Sequence, residues 1–313
     1  MRKQRKQLTD EERAERREKE RELVKASVEA LRSSEGWQAW LESRSRFHKY
    51  SLGNQLLIAV QGAMMVEKGW ITAPPRRVAG FKKWLELGYA VRKRPETVPE
   101  GAWGIKIWAP IPPGKAAKAA YEAAVKAGER PDRLRTFFRL AAVFGDTQVD
   151  PLPEMEQVPI RPPLVEVEGD SLAAAWEPLV VLAGEIGYDV ALEDTRPAGG
   201  YMREADRHIA VNEHASVNQR CRTLVHELAH ALVREDRQED DPKLEYAEEE
   251  LVAESVAMSV SGVLSLDTAS YSVPYLASWA EKADLEVLEA TAKLINRLAN
   301  RIEDALPEEL VSE

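Results

Sequence analysis

Residues 218–233 read Asn-Gln-Arg-Cys-Arg-Thr-Leu-Val-His-Glu-Leu-Ala-His-Ala-Leu-Val. Leu224, Val225, Leu228, Ala231 and Leu232 recur at helical spacing, so the stretch predicts a helix with one apolar face. His226 and His230 are four apart and stand one above the other on that helix. Two neutral imidazoles so placed can share one zinc ion. Glu227 is one step round, where a carboxylate can take a proton from water held on the metal.

A third ligand is expected on the next helix. After a charged loop comes Glu245-Tyr-Ala-Glu-Glu-Glu-Leu-Val-Ala-Glu254, followed by a helical run to Val263. Glu250 and Glu254 share a helix face, with the small residues Ala253 and Ala257 beside them. A carboxylate brought against the histidine pair makes a His2Glu set with a fourth position open to water. Glu250 is read as the ligand and Glu254 as the group that orients a ligating histidine. The reverse assignment, or Glu249 as ligand, fits the same spacing. Glu245, Glu248 and Glu249 otherwise read as a solvated face. Cys221 lies five before His226, off the ligand face, and reads as packing.

Upstream, Leu172 to Ile186 predicts a helix. Tyr188–Glu193, Tyr201–Arg203 and Arg207–Val211 predict strands, with Gly199-Gly200 in a turn. The last strand leads into the histidine helix, and a strand beside the site offers an edge to which an extended peptide can pair. His208 and His214 are isolated histidines. Downstream, Leu285 to Leu298 predicts a long helix.

The net charge of −10 hides two unlike halves. Residues 1–150 carry 30 Lys and Arg against 19 Asp and Glu, a balance of +11; residues 151–313 carry 13 against 34, a balance of −21. Such an asymmetry implies a different partner for each half. One cysteine excludes an internal disulfide framework and fits a reducing, cytoplasmic compartment. No apolar run approaches the roughly 18 residues of a membrane span, and the basic N-terminus lacks the apolar segment of a signal peptide, so no membrane partner is expected.

Residues 1–35 predict a charged helical extension. Trp37, Trp40, Leu41, Arg44 and Phe47 then recur at helical spacing, and Tyr50 to Val60 predicts a second helix capped near Ser51. Val78 to Gly88 reads as a short helix ended by Gly88. Tyr89–Arg94 and Trp103–Trp108 read as strands that pair across a turn, Thr136–Phe144 as a third strand, and residues 115–128 as an Ala/Lys helix inserted on the surface. Together these describe a small α/β domain with an antiparallel sheet over residues 36–150. A Pro-rich linker, 151–165, joins it to a second domain over 166–313. Within 36–150 the charge balance is +9, and cations alternate with aromatics around Arg44–Tyr50, Phe81–Trp84, Arg92–Arg94 and Lys106–Trp108. Cations for phosphates and rings for unpaired bases are what a single-strand binder needs.

These segments together resemble the ArdC antirestriction family. In the first half the resemblance rests on Tyr50-Ser-Leu-Gly-Asn-Gln-Leu-Leu-Ile58, Gly80-Phe-Lys-Lys-Trp-Leu-Glu-Leu-Gly88 with Val91-Arg-Lys after it, Ile105-Lys-Ile-Trp108 and Val143-Phe-Gly-Asp-Thr-Gln148. In the second it rests on Leu224-Val-His-Glu-Leu-Ala-His230, Glu249-Glu-Leu-Val-Ala-Glu254 and Tyr275-Leu-Ala-Ser-Trp279. The charged extension, the Ala/Lys insertion and a diverged second half depart from the family pattern. The resemblance implies an α+β chain with an N-terminal single-stranded-DNA-binding domain and a C-terminal zincin-like metallopeptidase domain. It also implies a role protecting incoming mobile-element DNA.

The resulting expectation is a DNA-tethered zinc metallopeptidase acting on an unidentified protein substrate. His226, His230 and Glu250 hold Zn²⁺, Glu227 is the general base, and Tyr246, Tyr271 or His208 steadies the oxyanion. Arg44, Arg46, Lys49, Arg92, Lys93 and Arg94 meet phosphate, with Tyr50 beside them, and Asn54, Gln55 and Trp84 contact bases. The competing expectation is a non-enzymatic DNA-binding protection protein with a structural or vestigial zinc site.

Overall fold

The computed structural model describes residues 10–111, 114–126, 137–157, 169–266, 279–280 and 283–311. The expected Tyr271, most of Tyr275–Trp279 and much of the Pro-rich linker lie outside them.

The chain starts with α1 (Asp10–Glu29), a 3-10 turn (Ala30–Arg32), α2 (Ser34–Arg46) and α3 (Leu52–Glu67). Ser33 caps α2, its hydroxyl accepting from the Gly36 amide at 3.0 Å. Then come β1 (Val78–Ala79), α4 (Phe81–Glu86), β2 (Tyr89–Val91), β3 (Ile105–Ile111), α5 (Lys115–Lys126), β4 (Phe137–Gly145) and β5 (Val149–Pro151). Gly88 ends the α4 segment at φ +88°, where a Cβ would stand 2.6 Å from the Glu156 carbonyl oxygen.

The strand pairing differs from expectation. β3 does not pair with β2. It pairs antiparallel with β4 from Ile105↔Val143 to Ile111↔Phe137, in a sheet of order β1-β4-β3, and β2 pairs with β5. β2 is only three residues long and runs into Arg92-Lys-Arg-Pro95, where proline ends a ladder. β3 has seven residues whose inner face, Ile105 and Ile107, is closed over by Val143 of β4. The outer edge of β3 is satisfied by α3. Asn54 donates to the Trp108 carbonyl at 2.9 Å and accepts from its amide at 2.7 Å; two turns on, Gln61 does the same for Lys106, at 2.9 Å both ways.

The second half contains α6 (Ala173–Glu185), β6 (Asp189–Glu193), β7 (Gly200–Arg203), β8 (His208–Asn212), α7 (Val217–Glu235), α8 (Tyr246–Val263), α9 (Leu285–Glu303) and α10 (Glu308–Val311). Its sheet has the order β6-β8-β7, with β6 parallel and β7 antiparallel to β8. Ser216 caps α7 through the Gln219 amide at 3.3 Å, and Glu245 with Glu248 forms a capping box on α8.

α2 sits in the core of the second half. Trp37, Trp40 and Leu41 share one apolar cluster with Leu224, Leu228, Val256, Leu288 and Leu298, and the Trp37 indole donates to Ser255 at 3.3 Å. A second cluster, with Phe47, Ile58, Trp103, Ile105 and Val143, lies under the first sheet. The two parts meet at Arg44. Its buried guanidinium donates to Ser259 at 2.9 Å, Asn300 at 2.6 Å and both carboxylate oxygens of Glu303. Among the described residues no helix is long and apolar enough to cross a membrane.

Candidate metal centre

α7 and α8 pack face to face. Their contact brings Nε2 of His226, Nε2 of His230 and the Glu250 carboxylate into one cluster. The two Nε2 atoms are 3.3 Å apart, and the Glu250 oxygens lie 3.7 Å from His226 Nε2 and 3.6 Å from His230 Nε2. Ligands held tetrahedrally at about 2.0–2.1 Å from zinc stand about 3.3 Å apart, so the donor atoms have the spacing of one shared ion.

The other ring nitrogens are already engaged. Glu254 lies 3.2 Å from His226 Nδ1, and Glu249 lies 2.8 Å from His230 Nδ1. Each carboxylate is in turn held by an arginine: Arg222 contacts Glu254, and Arg234 donates to Glu249 at 2.6 and 3.2 Å. With its Nδ1 hydrogen on a carboxylate, each imidazole turns the Nε2 lone pair toward Glu250. Burial alone would lower the pKa of His226, but the Glu254 hydrogen bond and the charges of Glu227, Glu254 and Glu250 outweigh it and the net shift is upward. Burial alone would likewise raise Glu249, but the hydrogen bonds from His230 and Arg234 bring it below the usual carboxylate range.

Glu249 was expected on a solvated face, as was Glu248; both are half-buried and engaged. Glu248 accepts from the Trp279 indole at 2.8 Å and from the Glu245 amide at 2.8 Å. Arg222 and Arg234 were missed by the sequence reading. A signal was present: positions 222, 226, 230 and 234 form one stripe of fourfold spacing on α7.

Glu227 is 8% exposed and takes a hydrogen bond from the Met202 backbone of β7; burial pushes its pKa up. Gly200 lets β7 come this close. A Cβ there would stand 2.6 Å from both the Ala210 carbonyl oxygen and the Thr223 methyl, and 3.6 Å from Glu227 Oε1. Of the oxyanion candidates, Tyr246 is 79% exposed and its hydroxyl bonds Glu250, which raises the phenol pKa. His208 is engaged elsewhere, its ring caught between Asp189 at 2.5 Å and Glu193 at 2.9 Å on β6.

The residues expected to meet nucleic acid divide in two. Arg44 is fully buried and paired with Glu303, so it has no face to offer a phosphate. Asn54 is spent on the edge of β3. Gln55 is buried, its amide donating to the Tyr50 carbonyl at 2.8 Å and to Asn296 at 3.0 Å. Trp84 is fully buried, its indole donating to the Phe144 carbonyl at 2.8 Å. These four are structural, contrary to expectation: polar or aromatic character marked them, but each serves a backbone group or a buried charge. Tyr50 is half-buried against Phe47, ring edge to face at 5.9 Å. Lys49 and Lys93 are exposed, Arg92 pairs with Asp150 at 2.8 Å, Arg94 reaches the Val98 carbonyl, and Arg46 is half-buried beside Glu42 at 3.3 Å.

The model of the MPTase-PolyVal family, described as a zincin-like metallopeptidase, matches residues 189–301. The chain is similar to the Mn(II)-bound crystal structure of the antirestriction ArdC protein from the R388 plasmid, with 18% identity and a TM-score of 0.52, covering 90% of this chain and 97% of that one. The metal-free structure of that protein aligns with 19% identity and a TM-score of 0.45 over 81% and 84% of the two chains. No curated protein matches the chain. The chain thus has an ArdC-like α+β fold with a zincin-like metallopeptidase domain in its C-terminal region.

Proposed function

We propose that this ArdC-like chain is a zinc-dependent metallopeptidase tethered to single-stranded DNA, and that it protects incoming mobile-element DNA. The observation that carries the reading is the convergence of two Nε2 atoms and one carboxylate while both Nδ1 atoms rest on glutamates. Two imidazoles and one carboxylate are a zinc set with a fourth position for water; the similar ArdC protein was crystallised with Mn(II). When bound, the ion supplies Lewis acidity and brings the pKa of water toward neutrality.

The chain's own residues supply the rest. His226, His230 and Glu250 hold the ion, with Glu254 and Glu249 orienting the rings. Glu227 takes the proton of the attacking water and delivers it to the leaving amine; its burial brings the carboxyl nearer to working pH. β7, at the sheet edge beside Glu227, is where an extended peptide pairs. Of the candidates among the described residues, Tyr246, whose hydroxyl bonds Glu250, is the one we assign to the developing oxyanion. Residues 36–150 carry the tether, with residues 151–165 leading to the peptidase part over 166–313.

Elemental analysis of the wild type, His226→Ala and Glu250→Ala tests the centre. About one zinc per chain, lost in both variants, is expected. Zinc retained in Glu250→Ala moves the third ligand to Glu254 or Glu249, and an empty wild type under metal-replete conditions refutes the metallopeptidase. Glu227→Gln should keep the metal and lose hydrolysis. Full DNA protection by that variant would favour the non-enzymatic protection protein.

A further inference from the structure

Among the described residues, the sheet formed by β1, β4 and β3 has one face closed by its core and the other covered by α4 only at its Phe144 end. Side chains alternate along a strand, and Ile105, Ile107 and Val143 occupy the inner face. The outer face therefore carries the register pairs Lys106↔Ala142, Trp108↔Leu140 and Pro110↔Phe138. Phe138 is 60% exposed there, and Ala142 and Pro110 are exposed as well. At its β3 side the face runs into a cleft of about 530 Å³ between α1 and α9, lined by Trp108, Val24, Val28, Leu285, Arg21 and Lys25. Arg21 and Lys25 are exposed cations at the cleft, Arg21 within 3.5 Å of the exposed Glu18 and therefore free to exchange that surface pair for a phosphate. The acid at the cleft, Glu289, is paired with Lys293 at 2.8 Å.

We propose that this open sheet face and the α1–α9 cleft are the seat of single-stranded DNA, with bases stacked on Phe138 and Trp108 and the phosphates passing Arg21 and Lys25. The inference rests on the DNA-tether reading above; of the groups the sequence suggested it keeps Trp108, and it moves the phosphates to Arg21 and Lys25. Aromatic rings open to solvent on a sheet, bordered by cations, accept any base, because every base has a π-face and every linkage a phosphate. An apolar peptide would bury the rings equally well but would have no use for Arg21 and Lys25; a second copy, whose acidic half could meet those cations, is separated from DNA by the dimer outcome of the test below. The charged N-terminal extension thereby acquires a role: α1 forms one wall of the site.

The test uses the full chain and a fluorescein-labelled oligo-dT, with affinity read by anisotropy over a salt series. Phe138→Ala changes a surface ring and should weaken binding about 5–150-fold, the loss of one stacked base. Trp108→Ala should do the same, with its melting curve recorded because the residue is half-buried. Arg21→Ala with Lys25→Ala should flatten the slope of log affinity against log salt by about 0.7 for each phosphate left without its cation. Lys243→Ala, an exposed cation in the loop before α8, should change nothing. If the wild type fails to bind oligo-dT, the tether reading itself falls and this site with it. If the wild type binds and Phe138→Ala and the Arg21/Lys25 variant bind equally well, the tether stands and this location is wrong. Loss of a dimer rather than of DNA affinity in Phe138→Ala would make the face a contact between copies and overturn the proposal.

Discussion

Replacing Arg44 by methionine isolates the joint between the two halves of the chain. Arg44 is 0% exposed and Glu303 is 4% exposed, and the guanidinium also holds Ser259, Asn300 and, at 3.3 Å, Asn296. Methionine fills much of the space but leaves the Glu303 carboxylate buried without its cation. Removing one partner of a buried pair costs about 3–5 kcal/mol. With an unfolding entropy near 2.1 cal/mol/K per residue, a chain of this length loses about 5–8 °C of melting temperature. The assay is calorimetry with a parallel urea titration. The companion variant, Arg44→Met with Glu303→Leu, removes the stranded charge and should recover most of the loss, since an apolar replacement of a buried pair is often neutral or better. Below the melting range, Arg44→Met should bind oligo-dT as the wild type does. A melting shift under about 2 °C, or a double variant no better than the single one, would refute the clamp. A selective loss of DNA affinity in the stable temperature range would return Arg44 to the phosphate path.

Three further outcomes follow from the site and its surroundings. Glu249→Gln and Glu254→Gln should each weaken metal binding about 10–100-fold, read by competition with a zinc chelator, because each carboxylate fixes the tautomer of a ligating ring. Gly200→Val should destabilise the chain by about 1–3 kcal/mol and reduce peptidase activity more than metal content, because β7 must move away from Ala210 and Thr223 and takes the Met202 amide from Glu227. Burial, reinforced by Arg44 and Lys49, pushes His48 down to about 4, whereas in the unfolded chain it titrates at its ordinary value. The unfolded state therefore binds more protons between those two values, and stability from this group falls as pH drops from about 6.5 through 4. In paired melts at pH 7.5, 5.5 and 4.5, His48→Gln should gain on the wild type as the pH falls.

The His226/His230/Glu250 cluster was legible in the sequence to the extent that it is local. His226 and His230 need only one helix to share a face, and Glu250 needs only a second helix of similar character. The same logic placed most helices and the strands before α7. The residues that it placed wrongly are those whose partners are far away along the chain. Arg44, Asn54, Gln55 and Trp84 look like nucleic-acid contacts because polar and aromatic groups on a basic stretch have that composition. Their partners, Glu303, Trp108, Asn296 and Phe144, come from other elements, and no spacing rule connects them. Glu249 read as solvated because its helix is acidic throughout; only the approach of Arg234 and His230 makes it a partner of the site. Likewise the pairing of β3 with β4, across the α5 insertion, was decided by which strand could close an apolar face and not by nearness in sequence. By itself the sequence determined the helical geometry of the candidate ligands, because periodicity is a property of one element. The tertiary structure decided which polar groups are free to act, because a buried hydrogen bond or charge must find its partner wherever the packing brings one.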